Sequence, residues 1–271
     1  MQKDQDFLSR FNFHKTPFTR EIEVKERFRL EVYDDHLNYL YRAVDKRMSA
    51  ALIAPAGTGK TVLLRALVDR LPGTRYQVHY VKVTSLSKRD LCREIAAVTG
   101  IESAGTYPVL VRRLQERYTD SMDVDALRPV LILDEAHSIR PEVLSILSVL
   151  TNFNMDSRLV VSIILAGQTP LTDLLRQPSL EDVAKRMAHC ASLKLMPATD
   201  VNRYIKHRCV IAGSTACPFE PDSLTAIYEI ARGNFRATDY LALKSLESAH
   251  DSESNTVNTN HVVEARGLIW A

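Results

Sequence analysis

Short apolar runs alternate with amphipathic stretches between about residues 50 and 195. The apolar runs are rich in valine, isoleucine and leucine, which is typical of buried strands. They lie at residues 50–54, 76–83, 130–133, 159–167 and 190–195. Between them, apolar residues recur at helical spacing at residues 61–71, 87–99, 107–118, 141–152 and 170–175. This alternation predicts an α/β fold with a parallel, doubly wound sheet flanked by helices.

The pattern differs on both sides of this α/β region. The N-terminal segment is aromatic and charged, and Asp34 or Asp35 is expected to cap a helix that runs to about Lys46. After Pro197 no strand pattern remains. Helices are predicted there at residues 199–213, where Thr199 is the expected cap, 221–232, 236–248 and 260–269. The predicted division is an N-terminal segment (1–35), an α/β domain (36–197) and a small all-helical domain (198–271).

Composition narrows the class of protein. The 271 residues are 45% hydrophobic and 25% charged, and the net charge of +2 means that any nucleic-acid surface must be local. No apolar run reaches the length of about 18 residues that spans a membrane, and the N-terminus lacks an apolar signal core. We therefore expect a cytoplasmic protein without membrane contact. Reduced, mostly buried thiols are expected at Cys92, Cys190, Cys209 and Cys217.

The sequence LIAPAGTGKT at Leu52–Thr61 differs from the phosphate-binding pattern G-x-x-x-x-G-K-[ST] only at its first position, where Ala54 replaces glycine. It stands between a predicted strand and a predicted helix, which is the context that such a loop requires. Gly57 and Gly59 allow backbone N–H groups to face phosphate oxygens beside the positive end of the helix. Ala54 lies at the strand end, before this cradle, so its methyl group is expected to be tolerated.

These features predict a binding site for ATP and Mg²⁺. Lys60 should reach the β- and γ-phosphates, and the Thr61 hydroxyl should bind the Mg²⁺ ion. A glycine-rich turn followed by a surface lysine, with no nucleotide, is the alternative. The predicted nucleotide-binding residues are Pro55, Ala56, Gly57, Thr58, Gly59, Lys60, Thr61 and Val62.

Polar side chains also follow the third and fourth predicted strands of the α/β region, at residues 130–133 and 159–167. In VLILDEAH, Asp134 is expected to hold the Mg²⁺ shell and Glu135 to polarise the attacking water as a general base. In LAGQTPL, Gln168 or Thr169 is placed to sense the γ-phosphate. A solvated loop acid at Glu135 and an ordinary strand-to-helix turn at LAGQTPL are the alternatives. The letters DEAH, which end at His137, also occur as a helicase motif, but the rest of a helicase motif set is absent. His137 is therefore expected to start a helix.

With these motifs the chain resembles the AAA+ ATPases, and within them the group of ExeA-like proteins and the ATP-dependent transposition regulators TnsC, TniB and MuB. The resemblance covers residues 11–250 and includes FNFHKTPF, DVAKRMAHCASLKLMP and ARGNFRAT. Ala54 and Asn12 stand where the family pattern has glycine. The resemblance implies a P-loop AAA+ sheet with a small C-terminal helical lid, and slow ATP hydrolysis that DNA or assembly stimulates.

The resemblance also implies roles for two arginines. Arg186 precedes the last strand, where AAA+ proteins place an arginine finger that reaches a neighbour's γ-phosphate. Arg176 is the alternative candidate for this role. Arg236 in GNFRAT looks like sensor II, which contacts phosphate from the lid. A surface arginine is the alternative for each. An arginine that acts in trans requires head-to-tail contacts, so a homo-oligomeric ring or helical filament is expected.

Two further segments carry hydroxyls and basic side chains at predicted helix starts, and such groups bind a phosphate backbone. In the transposition regulators the corresponding segments line the channel and track DNA. The predicted contacts with double-stranded DNA are Lys88, Arg89, Thr106, Tyr107 and Arg112, with Thr84, Ser85, Ser87 and Arg113 beside them. A capped, solvated helix with ordinary surface charge is the alternative.

The implied function is ATP-dependent, largely sequence-independent DNA binding that regulates transposition by target selection and transposase activation. The expected partners are double-stranded DNA, copies of the chain, a transposase and a target-selection protein. The first alternative is an ExeA-like secretion ATPase, which usually includes a transmembrane segment and a periplasmic part and is therefore disfavoured here. The second is a nucleotide-switched scaffold with negligible hydrolysis. Trp270 is expected to pack on the helical lid.

Overall fold

The computed structural model describes residues 2–267, and Trp270 lies outside them. The described chain divides into two compact units. The α/β unit contains Leu30–Pro55 and Lys60–Leu193, and the helical unit contains the residues up to Arg29, Ala56–Gly59 and the residues from Lys194 onward. The boundaries at residues 35 and 197 stay a prediction about domains.

The α/β unit is built on a five-stranded parallel sheet, which confirms the predicted fold class. The strands are β1 (Ser49–Ile53), β2 (Tyr76–Lys82), β3 (Arg128–Asp134), β4 (Ser162–Gly167) and β5 (Met187–Ser192), in the order β2-β3-β4-β1-β5. Because all strands run the same way, the residues that follow β1, β3 and β4 meet at one edge of the sheet. That edge carries the predicted phosphate site.

The helices are, in chain order, α1 (Gln2–Arg10), α2 (Glu31–Asp45), α3 (Lys60–Arg70), α4 (Lys88–Thr99), α5 (Tyr107–Asp123), α6 (Pro141–Leu144), α7 (Ile146–Leu150), α8 (Pro170–Leu175), α9 (Glu181–Lys185), α10 (Ala198–Ile211), α11 (Pro221–Ala231), α12 (Phe235–Asp251) and α13 (Thr259–Gly267). They overlap each predicted helical stretch, although residues 268 and 269 of the predicted helix 260–269 lie outside the described residues. Helices α2 to α9 belong to the α/β unit and the others to the helical unit. A helical C-terminal part is therefore present, as the sequence predicted.

Several predicted boundaries were wrong. β5 begins at Met187 rather than at residue 190, because its pairing with Ser49 of β1 sets the start of this edge strand. The predicted helix 141–152 breaks into α6 and α7 at Ser145. There the Ser145 hydroxyl donates to Glu142 O and the Ser148 hydroxyl donates to Ser145 O, so side chains compete for carbonyls that a continuous helix would use.

Two predicted caps were also wrong. Helix α2 begins at Glu31, with Leu30 at the N-cap position and no side-chain cap, so neither Asp34 nor Asp35 starts it. Helix α10 begins at Ala198, with Pro197 at the N-cap position, so Thr199 lies inside its first turn. In α2 the buried face begins before both expected caps, at Tyr33, whereas Ala198 and Thr199 at the start of α10 are both exposed.

The core of the α/β unit fixes the end of β3. Leu91 and Ile95 of α4 and Leu110 and Leu114 of α5 are fully buried in the same apolar cluster as Leu133 of β3. The spacing of four residues places each helical pair on one face of its helix. Full burial of such a side chain contributes roughly 1.5–3 kcal/mol. This packing holds the strand end from which the two carboxylates extend.

In the helical unit the N-terminal segment is anchored by backbone as well as by buried rings. Phe11 and Phe13 are buried, and His14 N donates to Ala212 O at 2.7 Å. Asn12, between the two rings, has a φ of 55°. Asparagine tolerates this left-handed region better than most residues, so Asn12 maintains a backbone conformation that glycine also adopts.

Candidate nucleotide-binding site

The loop between β1 and α3 has the backbone that phosphate binding requires. Ala54 is fully buried and its N–H donates to Gly167 O of β4 at 3.0 Å, so it extends the strand and its methyl group is accommodated. Gly57 and Gly59 have φ values of 76° and 83°, which L side chains rarely adopt. These two glycines form the turn before Lys60, the first residue of α3.

Within the helical unit, the same loop is held by the start of α12. The Asn234 side chain caps α12 by accepting from Ala237 N, and it donates from Nδ2 to Ala56 O at 2.7 Å. Arg236 N donates to Gly57 O at 3.3 Å. A Cβ added at Gly57 would lie 2.3 Å from Asn234 Oδ1. The glycine is thus required twice, by its φ and by the close approach of Asn234.

Lys60 and the two carboxylates lie together at the edge of the sheet. Lys60 Nζ lies 2.5 Å from Asp134 Oδ1 and 2.7 Å from Glu135 Oε1. The other Asp134 oxygen accepts from the Tyr80 hydroxyl at 3.0 Å, and Asp134 Oδ1 also accepts from Glu135 N at 2.8 Å. Lys60 and Asp134 are both buried. A cation that leaves these carboxylates for a phosphate would therefore free them for a metal ion.

Glu135 is ionised and has an unusual backbone. Its φ of 60° lies in the left-handed region, a conformation that clusters at functional sites when it occurs in a non-glycine residue. Burial opposes ionisation, but the hydrogen bond and charge of Lys60 outweigh it, so the pKa of the Glu135 carboxyl lies below its ordinary value. Gln168 Nε2 lies 3.5 Å from Glu135 Oε2. Gln168, rather than the exposed Thr169, therefore contacts the candidate base.

Sequence reasoning missed several residues around this site. Tyr80 binds Asp134, Asn234 binds the loop, and His137 Nδ1 accepts from Gln168 N at 3.2 Å. His137 thus links the ends of β3 and β4 rather than only starting a helical turn. Tyr80 carries no motif, and only the register of β2 against β3 brings it to the site.

The three predicted arginines and the predicted Mg²⁺ ligand Thr61 are either exposed or engaged in an ion pair. Arg236 is exposed at the second position of α12, and Thr61 is exposed at the second position of α3. Arg186 follows α9 and makes a bidentate ion pair with Asp156. Arg176 is exposed, with Asp173 at 3.9 Å.

The two predicted DNA-contacting segments lie next to each other at the starts of α4 and α5. Arg89 Nε donates to Gly105 O at 3.0 Å, and Arg113 Nη1 donates to Ala104 O at 2.7 Å. Ser87 is used as the N-cap of α4, where it accepts from Asp90 N. The exposed side chains are Thr84, Ser85, Lys88, Arg89, Thr106 and Arg112, whereas Tyr107 and Arg113 are half-buried. Arg112 has Glu116 at 3.7 Å.

The residues present fit a nucleoside triphosphate with Mg²⁺. Gly57 and Gly59 have the positive φ values that a phosphate-binding turn needs, and Asp134 and Thr61 supply the hard oxygen ligands that Mg²⁺ takes. Among residues 2–267, no cluster of three or more histidine, cysteine or acidic side chains is arranged to hold a metal ion alone. Mg²⁺ usually needs none, because phosphate oxygens and water complete its shell. No helix within those residues is long and apolar enough to cross a membrane.

Comparisons with known proteins agree with this site. Residues 43–175 match the family model of the AAA domain. General secretion pathway protein A of Aeromonas hydrophila is 28% identical over 251 residues, which cover 91% of this chain and 45% of that protein. The chain therefore spans less than half the length of this curated relative.

Two solved structures share the fold. The Aeropyrum pernix ORC2 protein, in ADPNP–ADP complexes, has a TM-score of 0.69 and 17% identity, covering 92% of this chain and 70% of its own. The Aeropyrum pernix ORC1 protein, in complex with DNA, has a TM-score of 0.66 and 18% identity, covering 90% of this chain and 66% of its own. The motif sequences and the site geometry agree with the match of residues 43–175 to the AAA domain, and over most of its length the chain is similar to General secretion pathway protein A.

Proposed function

We propose that the chain is an ATP-dependent DNA-binding ATPase that assembles head-to-tail on double-stranded DNA and regulates transposition through target selection and transposase activation. The observation that carries the DNA part is the Arg89–Gly105 hydrogen bond. It joins the hydroxyl-bearing, basic starts of α4 and α5 into one exposed surface. The transposition part rests on the resemblance of the subfamily motifs.

The site supports hydrolysis as follows. Lys60 moves from Asp134 and Glu135 to the β- and γ-phosphates, and Asp134 with Thr61 would hold Mg²⁺, which supplies charge neutralisation to the phosphate oxygens. Glu135, which is ionised, accepts the proton of the water that attacks the γ-phosphorus, and the bond to the bridging oxygen of ADP breaks. Gln168 lies beside Glu135 and orients that water. Proposed phosphate contacts from Arg236 and from a neighbour's Arg186 stabilise the transferring group.

The DNA surface is small, and its size sets the expected binding behaviour. Lys88, Arg89 and Arg112 supply the exposed cations, and Thr84 and Thr106 supply hydroxyls. A few phosphate contacts per subunit give weak, sequence-independent binding, and repetition in an assembly makes it tight. Because ATP would link the subunits, affinity for DNA should depend on nucleotide. The DNA complex of the ORC1 protein shows that a protein of this fold can bind DNA.

The proposal is tested by measuring double-stranded DNA binding with and without a non-hydrolysable ATP analogue across a salt series. We expect the analogue to strengthen binding at least tenfold, with affinity falling steeply as salt rises. Lys88→Ala combined with Arg89→Ala should weaken binding and lower the salt slope by about 0.9 for each DNA phosphate that the variant no longer neutralises. Lys46→Ala is the matched control, because Lys46 is exposed just before β1, at the opposite edge of the sheet. Equal binding with and without the analogue would rule the proposal out.

A second candidate function is that of an ATPase of a secretion pathway. The match to General secretion pathway protein A over 91% of this chain favours it, and the site geometry supports it equally. It predicts nucleotide binding and hydrolysis without nucleotide-dependent affinity for DNA. A parent protein that hydrolyses ATP, but binds DNA equally with and without the nucleotide analogue, would favour this candidate.

A further inference from the structure

The guanidinium of Arg186 is held by one carboxylate of its own chain. Arg186 Nη1 donates to Asp156 Oδ1 at 2.6 Å, and Nη2 donates to Oδ2 at 2.9 Å. The Nε atom of Arg186 is buried and has no hydrogen-bond partner among the described residues. Bidentate recognition of a phosphate needs two N–H donors of an arginine, and because Nε is buried only the two terminal amino groups of Arg186 can supply them. Arg186 therefore cannot bind a phosphate in this way while it remains paired with Asp156.

Asp156 is presented to Arg186 by a loop with an uncommon backbone. The loop lies between Phe153 and Arg158, which form an antiparallel bridge. Asn154, Met155 and Asp156 follow one another with φ values of 50°, 56° and 65°, a region that costs energy for residues other than glycine. The Met155 side chain is 97% exposed, so its packing does not offset that cost.

The Arg186–Asp156 ion pair is intact at neutral pH, yet another anion can replace Asp156 in it. The hydrogen bond and charge of Arg186 lower the pKa of the Asp156 carboxyl, so Asp156 is ionised. Asp156 is about half-exposed, and Arg186 borders a groove lined by Gln115, Asn152 and Asp182. Water and a competing anion can therefore reach the pair. The guanidinium also has open space into which it can turn.

We propose that Asp156 restrains Arg186 in the isolated subunit and releases it when a second copy of the chain presents a nucleotide phosphate. This inference rests on the proposed function, because it takes Arg186 as the arginine that acts on a neighbour. The carboxylate and the γ-phosphate compete for the same two amino groups, and the phosphate carries more charge. In a dispersed subunit only Asp156 is present, so Arg186 stays bound in cis. ATP turnover then depends on assembly more steeply than it would without Asp156.

The same loop offers a matched control. Arg158 pairs with Asp123 in a second bidentate contact, in which Nη1 donates to Oδ2 at 3.0 Å and Nη2 donates to Oδ1. The side-chain exposure of Asp123, 47%, is nearly that of Asp156, 49%. Asp123→Asn therefore removes an ion pair of similar geometry and exposure from the same loop without freeing Arg186.

The test measures ATP turnover at saturating ATP over a range of protein concentrations. Asp156→Asn should raise turnover roughly 1.5- to 5-fold at concentrations below full assembly, the range expected for an exposed ion pair. Asp123→Asn should match the parent, and Asp156→Glu, which restores a carboxylate, should return turnover toward it. Arg186→Ala should lower turnover at least tenfold. In that background Asp156→Asn should have no effect, because the restraint acts only through Arg186.

The possible failures are distinguishable. If Asp156→Asn lowers turnover, Asp156 positions Arg186 for catalysis and the restraint is disproved. If the turnover of Asp156→Asn equals that of Asp123→Asn, or if Asp156→Asn still changes turnover in the Arg186→Ala background, the restraint is likewise disproved. The proposed function stands in both cases. Parent-like turnover of Arg186→Ala would remove Arg186 from the proposed function and the restraint with it.

Discussion

Replacement of Gly57 by alanine tests the geometry of the phosphate loop most directly. The substitution places a Cβ at a φ of 76°, which costs about 1–2 kcal/mol for an L residue. The added atom would lie 2.3 Å from Asn234 Oδ1, so Asn234 must move and give up its hydrogen bond to Ala56 O. Loss of that bond costs about 0.5–1.5 kcal/mol. Together we expect a loss of about 1.5–3.5 kcal/mol in the loop conformation.

Two other glycines separate the cost of the positive φ from the cost of the contact with Asn234. Gly100 has a φ of 75° with nothing near its Cβ position, so Gly100→Ala should cost only the backbone part, about 1–2 kcal/mol. Gly73 has neither a positive φ nor a close neighbour, and Gly73→Ala should leave stability unchanged or raise it by up to about 1 kcal/mol. Urea unfolding of the three variants measures these losses in stability, and we expect the largest loss for Gly57→Ala, a smaller one for Gly100→Ala and none for Gly73→Ala.

Nucleotide affinity supplies the functional half of the test. Gly57→Ala should weaken ATP binding by about 10- to 300-fold if the loop must keep its shape to bind phosphate, because about 1.4 kcal/mol corresponds to a factor of ten. Gly100→Ala and Gly73→Ala should bind ATP like the parent. Parent-like ATP affinity of Gly57→Ala would show that this turn does not form the phosphate cradle, and the reasoning about the site would fail.

The remaining predictions concern the base and the helical unit. Glu135→Gln should preserve ATP-dependent assembly but reduce turnover by about 10²- to 10⁴-fold, and unchanged hydrolysis would exclude Glu135 as the base. Arg208 is buried and binds Thr19 O and Tyr204, with Asp239 at 3.6 Å. Arg208→Ala should therefore lower the free energy of unfolding in urea by about 3–5 kcal/mol, and a loss below about 1 kcal/mol would contradict this account. Burial raises the pKa of Asp239 to about 6. The folded state then binds more protons than the unfolded state between about pH 4 and 6, so stability falls as pH rises through that window and levels off above it. Relative to Asp239→Asn, the parent should lose up to about 3 kcal/mol there, and parallel pH profiles would refute the assignment.

Local sequence was sufficient to predict those parts of the site that are formed by residues close together in the chain. The order strand, glycine turn, Lys60 and helix is contained in ten residues, and the carboxylates follow directly on the apolar run of β3. The helical C-terminal part was equally visible, because its apolar periodicity is uninterrupted. Helix starts were less accurate: α2 and α10 both begin before their expected caps, in α2 because Tyr33 packs into the core.

Contacts between distant residues were decided by tertiary structure alone. The strand order places β4 between β3 and β1, and only this arrangement sets Gln168 beside Glu135. The register of β2 brings Tyr80 to Asp134, and a strained loop brings Asp156 to Arg186. Hydrophobic periodicity reports which face of an element is buried, but it contains no information about which element lies next to it. That choice depends on the packing of complete surfaces, and it decided which polar groups accompany the motifs that the sequence already displayed.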